Sequence, residues 1–122
     1  LRQLDTWNRR RQDVSRRYID ALNNTSFLTL PTVKSWAKPV WHLFVVTHPQ
    51  RDKLQRHLLS HGIKTLIHYP VPPHLAGAYS ELGLKGKLPF AEAYAEQVLS
   101  LPIGPHMNEI EVTKVIEAFS SF

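Results

Sequence analysis

No cysteine occurs among the 122 residues, which excludes disulfides, thiolate zinc sites and a cysteine nucleophile. Nothing therefore points to an oxidising compartment, and a cytoplasmic setting is the expectation. No apolar run approaches the roughly 20 residues that a membrane-spanning helix needs, and no charged start leads into the apolar segment of a secretory signal. The chain reads as soluble, with no membrane partner. Its one methionine is Met107, so Leu1 is not an initiator residue and the chain is expected to have been cut from something longer. Glycine motifs are missing too. Residues 83–87 (GLKGK) lack the leading glycine and the following Ser/Thr of a phosphate-binding loop, and there is neither a G-x-S-x-G elbow nor a dinucleotide fingerprint.

What is present suits one folded domain: 43% of residues are hydrophobic and 20% charged, enough apolar material to close a core at this length. The formal charge is +5, and residues 1–24 hold six arginines against three aspartates. A basic helix can mark nucleic-acid binding, but a solvated helix face is the commoner cause of such a pattern, and no nucleic acid is expected.

Leu4, Trp7, Arg11, Val14, Tyr18 and Leu22 recur at three- or four-residue spacing. This predicts a helix over 4–22 with one stripe against an apolar surface, ended by Asn23-Asn24-Thr25-Ser26. Short strands are predicted at 27–30 and 63–68, and a stronger one over 40–47 (VWHLFVVT), which is aromatic and β-branched. Between them, 50–61 reads as an amphipathic helix with Leu54 and Leu58 inward, Arg51, Lys53, Gln55 and Arg56 outward, and Gly62 as its C-cap. Further helices are expected at 75–82 and 89–99, a third strand at 101–103, and a last helix opened by a capping box of Asn108 and Glu111. The order of elements describes an α/β chain, more closely an α+β two-layer sandwich in which a small sheet is covered by helices on one side.

Seven histidines raise the question of a metal. His57 and His61 share a helix face at i, i+4, but no third ligand accompanies them, so they read as two exposed histidines and no metal is expected. His42 lies within the apolar strand, where a hydrogen-bonded structural role is the better reading, and His48 and His106 adjoin prolines. The stretch LIHYPVPPHLAGAYS (66–80) carries two histidines, two tyrosines and three prolines. A strand end here delivers His68 and Tyr69 into a loop stiffened by Pro70, Pro72 and Pro73, followed by His74. Such a loop holds donors and acceptors at low entropic cost, as binding sites do, although a tyrosine packed under the loop and a histidine bonded to backbone would leave the same pattern.

The series WHLFVV (41–46), RDKLQRHLLSHGIKTLIHYPVPPHLAGAYSELG (51–83) and AEAYAEQVLSLPIGPHM (91–107) resembles the C-terminal part of the DegT/DnrJ/StrS family of sugar aminotransferases. The opening LDTWNRRRQDVSRRYIDAL (4–22) is similar to the helix by which those proteins pass from large to small domain. The resemblance implies the small C-terminal domain of the type I fold of pyridoxal-phosphate enzymes, with residues 1–24 as the basic linking helix and 25–122 as the domain itself. It implies a homodimer that transfers an amino group from glutamate to the keto group of a nucleotide-linked sugar, a dTDP- or UDP-keto-deoxyhexose, dTDP-3-keto-6-deoxyhexoses first among them. Such enzymes serve amino-sugar, lipopolysaccharide or antibiotic biosynthesis. Pyridoxal phosphate would be bound by the large domain: none of Lys34, Lys38, Lys53, Lys64, Lys85, Lys87 or Lys114 sits in the family's lysine motif, so no catalytic residue is assigned and the chain alone is expected to be inactive. The family's HYP region faces the substrate, which makes His68 and Tyr69 substrate-side contacts here, followed by His74 and then His42. Arg9, Arg10 and Arg11 are expected to stay in solvent. Two alternatives remain open at this point: a stand-alone nucleic-acid or protein interaction module using the arginine-rich helix, and a sugar dehydratase of the same family.

Overall fold

A computed structural model describes residues 1–122. Helix α1 (Leu4–Leu22) buries Val14, Ser15, Tyr18 and Leu22, while Leu4 and Trp7 are 41% and 46% exposed. Only the C-terminal two-thirds of the predicted stripe therefore meets this domain. Tyr18 is fully buried, edge-on to Phe44 at 5.2 Å, and its hydroxyl donates to the Pro102 carbonyl at 2.8 Å. A phenol so enclosed keeps its proton well above the ordinary tyrosine range, because burial penalises the phenolate; nearby Arg17 offsets this only in part.

Arg9 and Arg10 of α1 are exposed as expected, whereas Arg11 and Arg17 are half-buried. Arg10 donates to the Pro105 carbonyl at 3.2 Å and Arg11 to that of Val40 at 3.1 Å. Arg17 reaches Thr113 Oγ1 at 2.8 Å. Each guanidinium thus pins a loop or helix of the same chain.

The sheet has two strands, β1 (Phe44–Thr47) and β2 (Val98–Leu101), paired antiparallel with Phe44 opposite Leu101 and Val45 opposite Ser100. Single bridges, Thr29 to Thr47 and Leu66 to Ser100, extend it on either side. The strands predicted at 27–30 and 63–68 thus shrink to one paired position each. Strand 40–47 also starts late: Trp41 stands at φ 53, a left-handed conformation no strand accommodates, and its ring lies 5.3 Å from Phe44. His42 consequently sits in a loop, exposed, rather than inside an apolar strand.

Helix α2 (Arg51–Ser60) buries Leu54 and Leu58 and ends at Gly62, whose φ of 75 is the left-handed C-cap geometry predicted. Arg51, expected outward, has only 11% of its side chain exposed and donates to the carbonyls of Ala95 and Val98. His57 is half-buried, its Nε2 2.7 Å from the Ala118 carbonyl, and only His61 is exposed.

Residues 73–75 and 77–82 form two 3₁₀ turns in place of one helix, ended by Gly83 at φ 57. Helix α3 (Pro89–Gln97) stops two residues early, because Val98 and Leu99 join β2. Helix α4 (Glu109–Phe119) opens on the predicted box: Asn108 Oδ1 accepts from the Glu111 amide at 2.9 Å and Glu111 Oε2 from the Asn108 amide at 2.8 Å. One core unites Val14, Tyr18 and Leu22 of α1, Leu54 and Leu58 of α2, Phe44, Val46, Leu99 and Leu101 of the sheet, and Val112, Val115 and Phe119 of α4. This is the expected α+β arrangement, with a smaller sheet. No helix is long and apolar enough to cross a membrane.

Candidate functional site

Side chains alternate along a strand, so Leu99 and Leu101 turn to the core while Ser100 turns to the other face. Leu66 pairs with Ser100, and His68, two residues on, returns to that same face. There its Nδ1 lies 2.9 Å from Ser100 Oγ. Both residues line a cleft of about 790 Å³, whose walls include Leu43, Leu66, Leu101, Ile103, Met107 and Val115. The polar groups at this cleft are His42, Lys64, His68, Ser100, His106, Glu111 and Lys114.

Two of the four residues singled out from the sequence, His68 and His42, are thereby brought together across a gap of 26 positions. Tyr69 is 70% exposed, its ring edge-on to His68 at 5.6 Å, and lies outside the cleft wall. His74 is turned inward instead: its side chain is 8% exposed, and Nε2 lies 3.1 Å from Glu92 Oε1. The same carboxylate accepts the amides of Gly86 at 2.8 Å and Leu88 at 3.4 Å. Hydrogen bonding from His74, aided by those two amides, holds the Glu92 carboxyl below its ordinary range against the opposing effect of desolvation. His74 and Glu92 together fasten the 73–88 loop to α3.

Lys64, His106 and Lys114 complete the cleft, and nothing in the sequence had singled them out as substrate-side residues. The ring of His106 folds back over Gly104, where a Cβ would lie 2.4 Å from His106 Cε1 and push that exposed ring aside. Glu111 is the cleft's single carboxylate, and its Oε2 accepts the capping bond from the Asn108 amide. The remaining polar groups are imidazoles, ammonium groups and one hydroxyl, a set rich in donors and suited to acceptor oxygens. No three ligands of suitable type converge on a point that could hold a metal ion.

These residues by themselves do not build a pocket for pyridoxal phosphate. All seven lysines are exposed, whereas a lysine that holds a carbonyl cofactor is activated by desolvation or a cationic neighbour in a closed site.

Comparison with known proteins defines the family. Over 117 residues the chain is 50% identical to the erythromycin biosynthesis sensory transduction protein EryC1 of Saccharopolyspora erythraea, covering 95% of this chain and 32% of that one. It is 47% identical over 119 residues to the dTDP-3-amino-3,4,6-trideoxy-alpha-D-glucose transaminase of Streptomyces venezuelae, covering 97% of this chain and 31% of the enzyme. The crystal structure of S. venezuelae DesV in complex with a ketimine intermediate superposes with a TM-score of 0.94 at 45% identity, over 99% of this chain and 33% of that one. The chain thus spans about a third of the length of the relatives it matches. Residues 1–120 match the sequence profile of the DegT/DnrJ/EryC1/StrS aminotransferase family; with the fold shared as well, the chain belongs to that family.

Proposed function

We propose that this chain is the small C-terminal domain of a pyridoxal-phosphate-dependent aminotransferase that passes an amino group from glutamate to a dTDP-linked keto-deoxyhexose. The observation that carries the reading is the near-complete match of these residues to one third of dTDP-amino-sugar transaminases. Residues 1–24 are the link to the large domain, which agrees with the exposed Leu4 and Trp7 at the start of α1. The large domain supplies the cofactor lysine and the phosphate cradle, and the whole enzyme works as a cytoplasmic homodimer.

When bound, pyridoxal phosphate supplies the electron sink that lets nitrogen leave the amino acid and reach the keto carbon. The part played by this chain is binding and orientation. His68, fixed by Ser100 and exposed to the cleft, donates to an acceptor oxygen of the sugar or its diphosphate, and Tyr69 extends the same edge with a phenol. His42 stands at the cleft as a further contact. His74 acts on them through the loop it fastens to Glu92, since its Nε2 is engaged there.

The test is His68→Ala in the full-length enzyme, assayed with dTDP-3-keto-6-deoxyglucose and glutamate. The expected result is a loss of about tenfold in kcat/KM, the worth of one good hydrogen bond, with the cofactor's visible absorbance intact. Unchanged kinetics with this and related keto-sugars would remove His68 from the site.

A further inference from the structure

We infer that Ser100 is a positioning residue for His68, holding its ring as the neutral tautomer with hydrogen on Nε2, so that the cleft meets an N–H donor at this point. The inference rests on the reading of His68 as a substrate contact and specifies what it contributes.

Ser100 lies mid-strand in β2, and both its backbone groups are paired with Leu66, at 2.7 Å from its amide and 3.2 Å to its carbonyl. The residue is 4% exposed. Its hydroxyl has one hydrogen to place, and the sole side-chain or backbone group within bonding reach of Oγ is His68 Nδ1, at 2.9 Å. Two arrangements are possible. Were Nδ1–H to donate to Oγ, the serine hydrogen would have no protein acceptor within reach, on a residue only 4% exposed, and a buried donor without a partner is costly. With Ser100 donating to the Nδ1 lone pair, both groups are satisfied. Imidazole then carries its single hydrogen on Nε2.

The consequence is chemical as well as geometric. Lys64 and Lys114 at the same cleft can only donate. With His68 set by Ser100, the imidazole joins them in presenting hydrogen to acceptor oxygens, and it does so from a ring whose rotation is stopped by a rigid strand. The opposite tautomer would present a lone pair, which repels the same oxygens.

The experiment uses the full-length enzyme labelled with ¹⁵N-histidine. The expected spectrum at neutral pH places His68 in one tautomer, with hydrogen on Nε2 and an accepting Nδ1. Ser100→Ala is expected to release the ring into exchange between both tautomers and to raise KM for dTDP-3-keto-6-deoxyglucose about fivefold, with kcat within about twofold. Ser100→Thr, which keeps the hydroxyl, should restore the single tautomer and most of the KM. A wild-type spectrum with hydrogen on Nδ1 would overturn the inference, as would a tautomer and KM indifferent to Ser100→Ala. If the threonine variant fails to fold, the wild-type spectrum still decides. Failure of the underlying reading looks different: His68→Ala would be silent in kinetics while the tautomer still depended on Ser100.

Discussion

At the scale of single residues, the fold shifts the proton affinity of Tyr18 and Glu92 and so ties stability to pH at both ends of the range. Tyr18 has its pKa raised by burial, so the sign is that of a neutral acid sheltered by the fold. Its contribution is fully present below the ordinary tyrosine value of about 10 and is lost as pH rises through the higher folded value. Alkaline titration of stability, followed by denaturant midpoint, should therefore fall above about pH 10, and Tyr18→Phe should flatten that fall. At neutral pH the same substitution should cost about 1 kcal/mol for the bond to Pro102. Glu92 has the opposite sign: its pKa is lowered by the His74 hydrogen bond, so its contribution holds above the ordinary carboxylate value and disappears as pH falls through the folded one. Hydrogen exchange should show the Gly86 and Leu88 amides losing protection with acid, and Glu92→Gln should remove most of that pH dependence. Neither role could be read from the sequence. A tyrosine on a helix stripe announces burial, but its carbonyl partner lies 84 positions away, and His74 looks as much like a ligand-facing residue as a clamp until Glu92 is seen beside it.

At the scale of elements, the C-cap of α2 and the N-cap of α4 were the most legible features. The Asn108–Glu111 box and the Gly62 C-cap are made by residues within one turn of each other, so local chemistry decides them. Asn108→Ala should cost about 1 kcal/mol, measured as a shift in denaturant midpoint with unchanged slope. The strands were less legible, because what makes a strand is a partner. Val98-Leu99 continues the apolar spacing of α3 well enough to pass for helix, yet pairing with Thr47 and Val46 draws it into β2. Phe27–Leu30 and Ile63–His68 have strand composition but gain one bridge each. Arg51 shows the same limit on a helix: its spacing placed it outside, and two carbonyls at the turn from α3 into β2 draw it in.

At the scale of the whole molecule, the domain closes its own core but leaves apolar residues uncovered at several places, among them Trp36 at 83%, Phe90 at 91% and Tyr94 at 61% exposure. That suits a piece that spans about a third of its relatives, whose cofactor chemistry is proposed to reside in the remainder. The 122-residue chain, mixed with pyridoxal phosphate and reduced with borohydride, should yield no stoichiometric adduct at any one lysine by peptide mass spectrometry. A single fully modified lysine would show that a cofactor site had been overlooked. The amino-acid sequence by itself determined α1, α2 and α4, the caps at Gly62 and Asn108, the family and the stiff HYP loop, since each depends on residues close together in the chain or on their order along it. The tertiary structure alone decided that His68 meets Ser100, that His42, His106, Lys64 and Lys114 join it at one cleft, and that His74 turns away to Glu92. His74 and Glu92 lie 18 positions apart and His68 and Ser100 lie 32 apart, while the cleft draws its residues from positions 42 to 114, so only the tertiary fold brings them together.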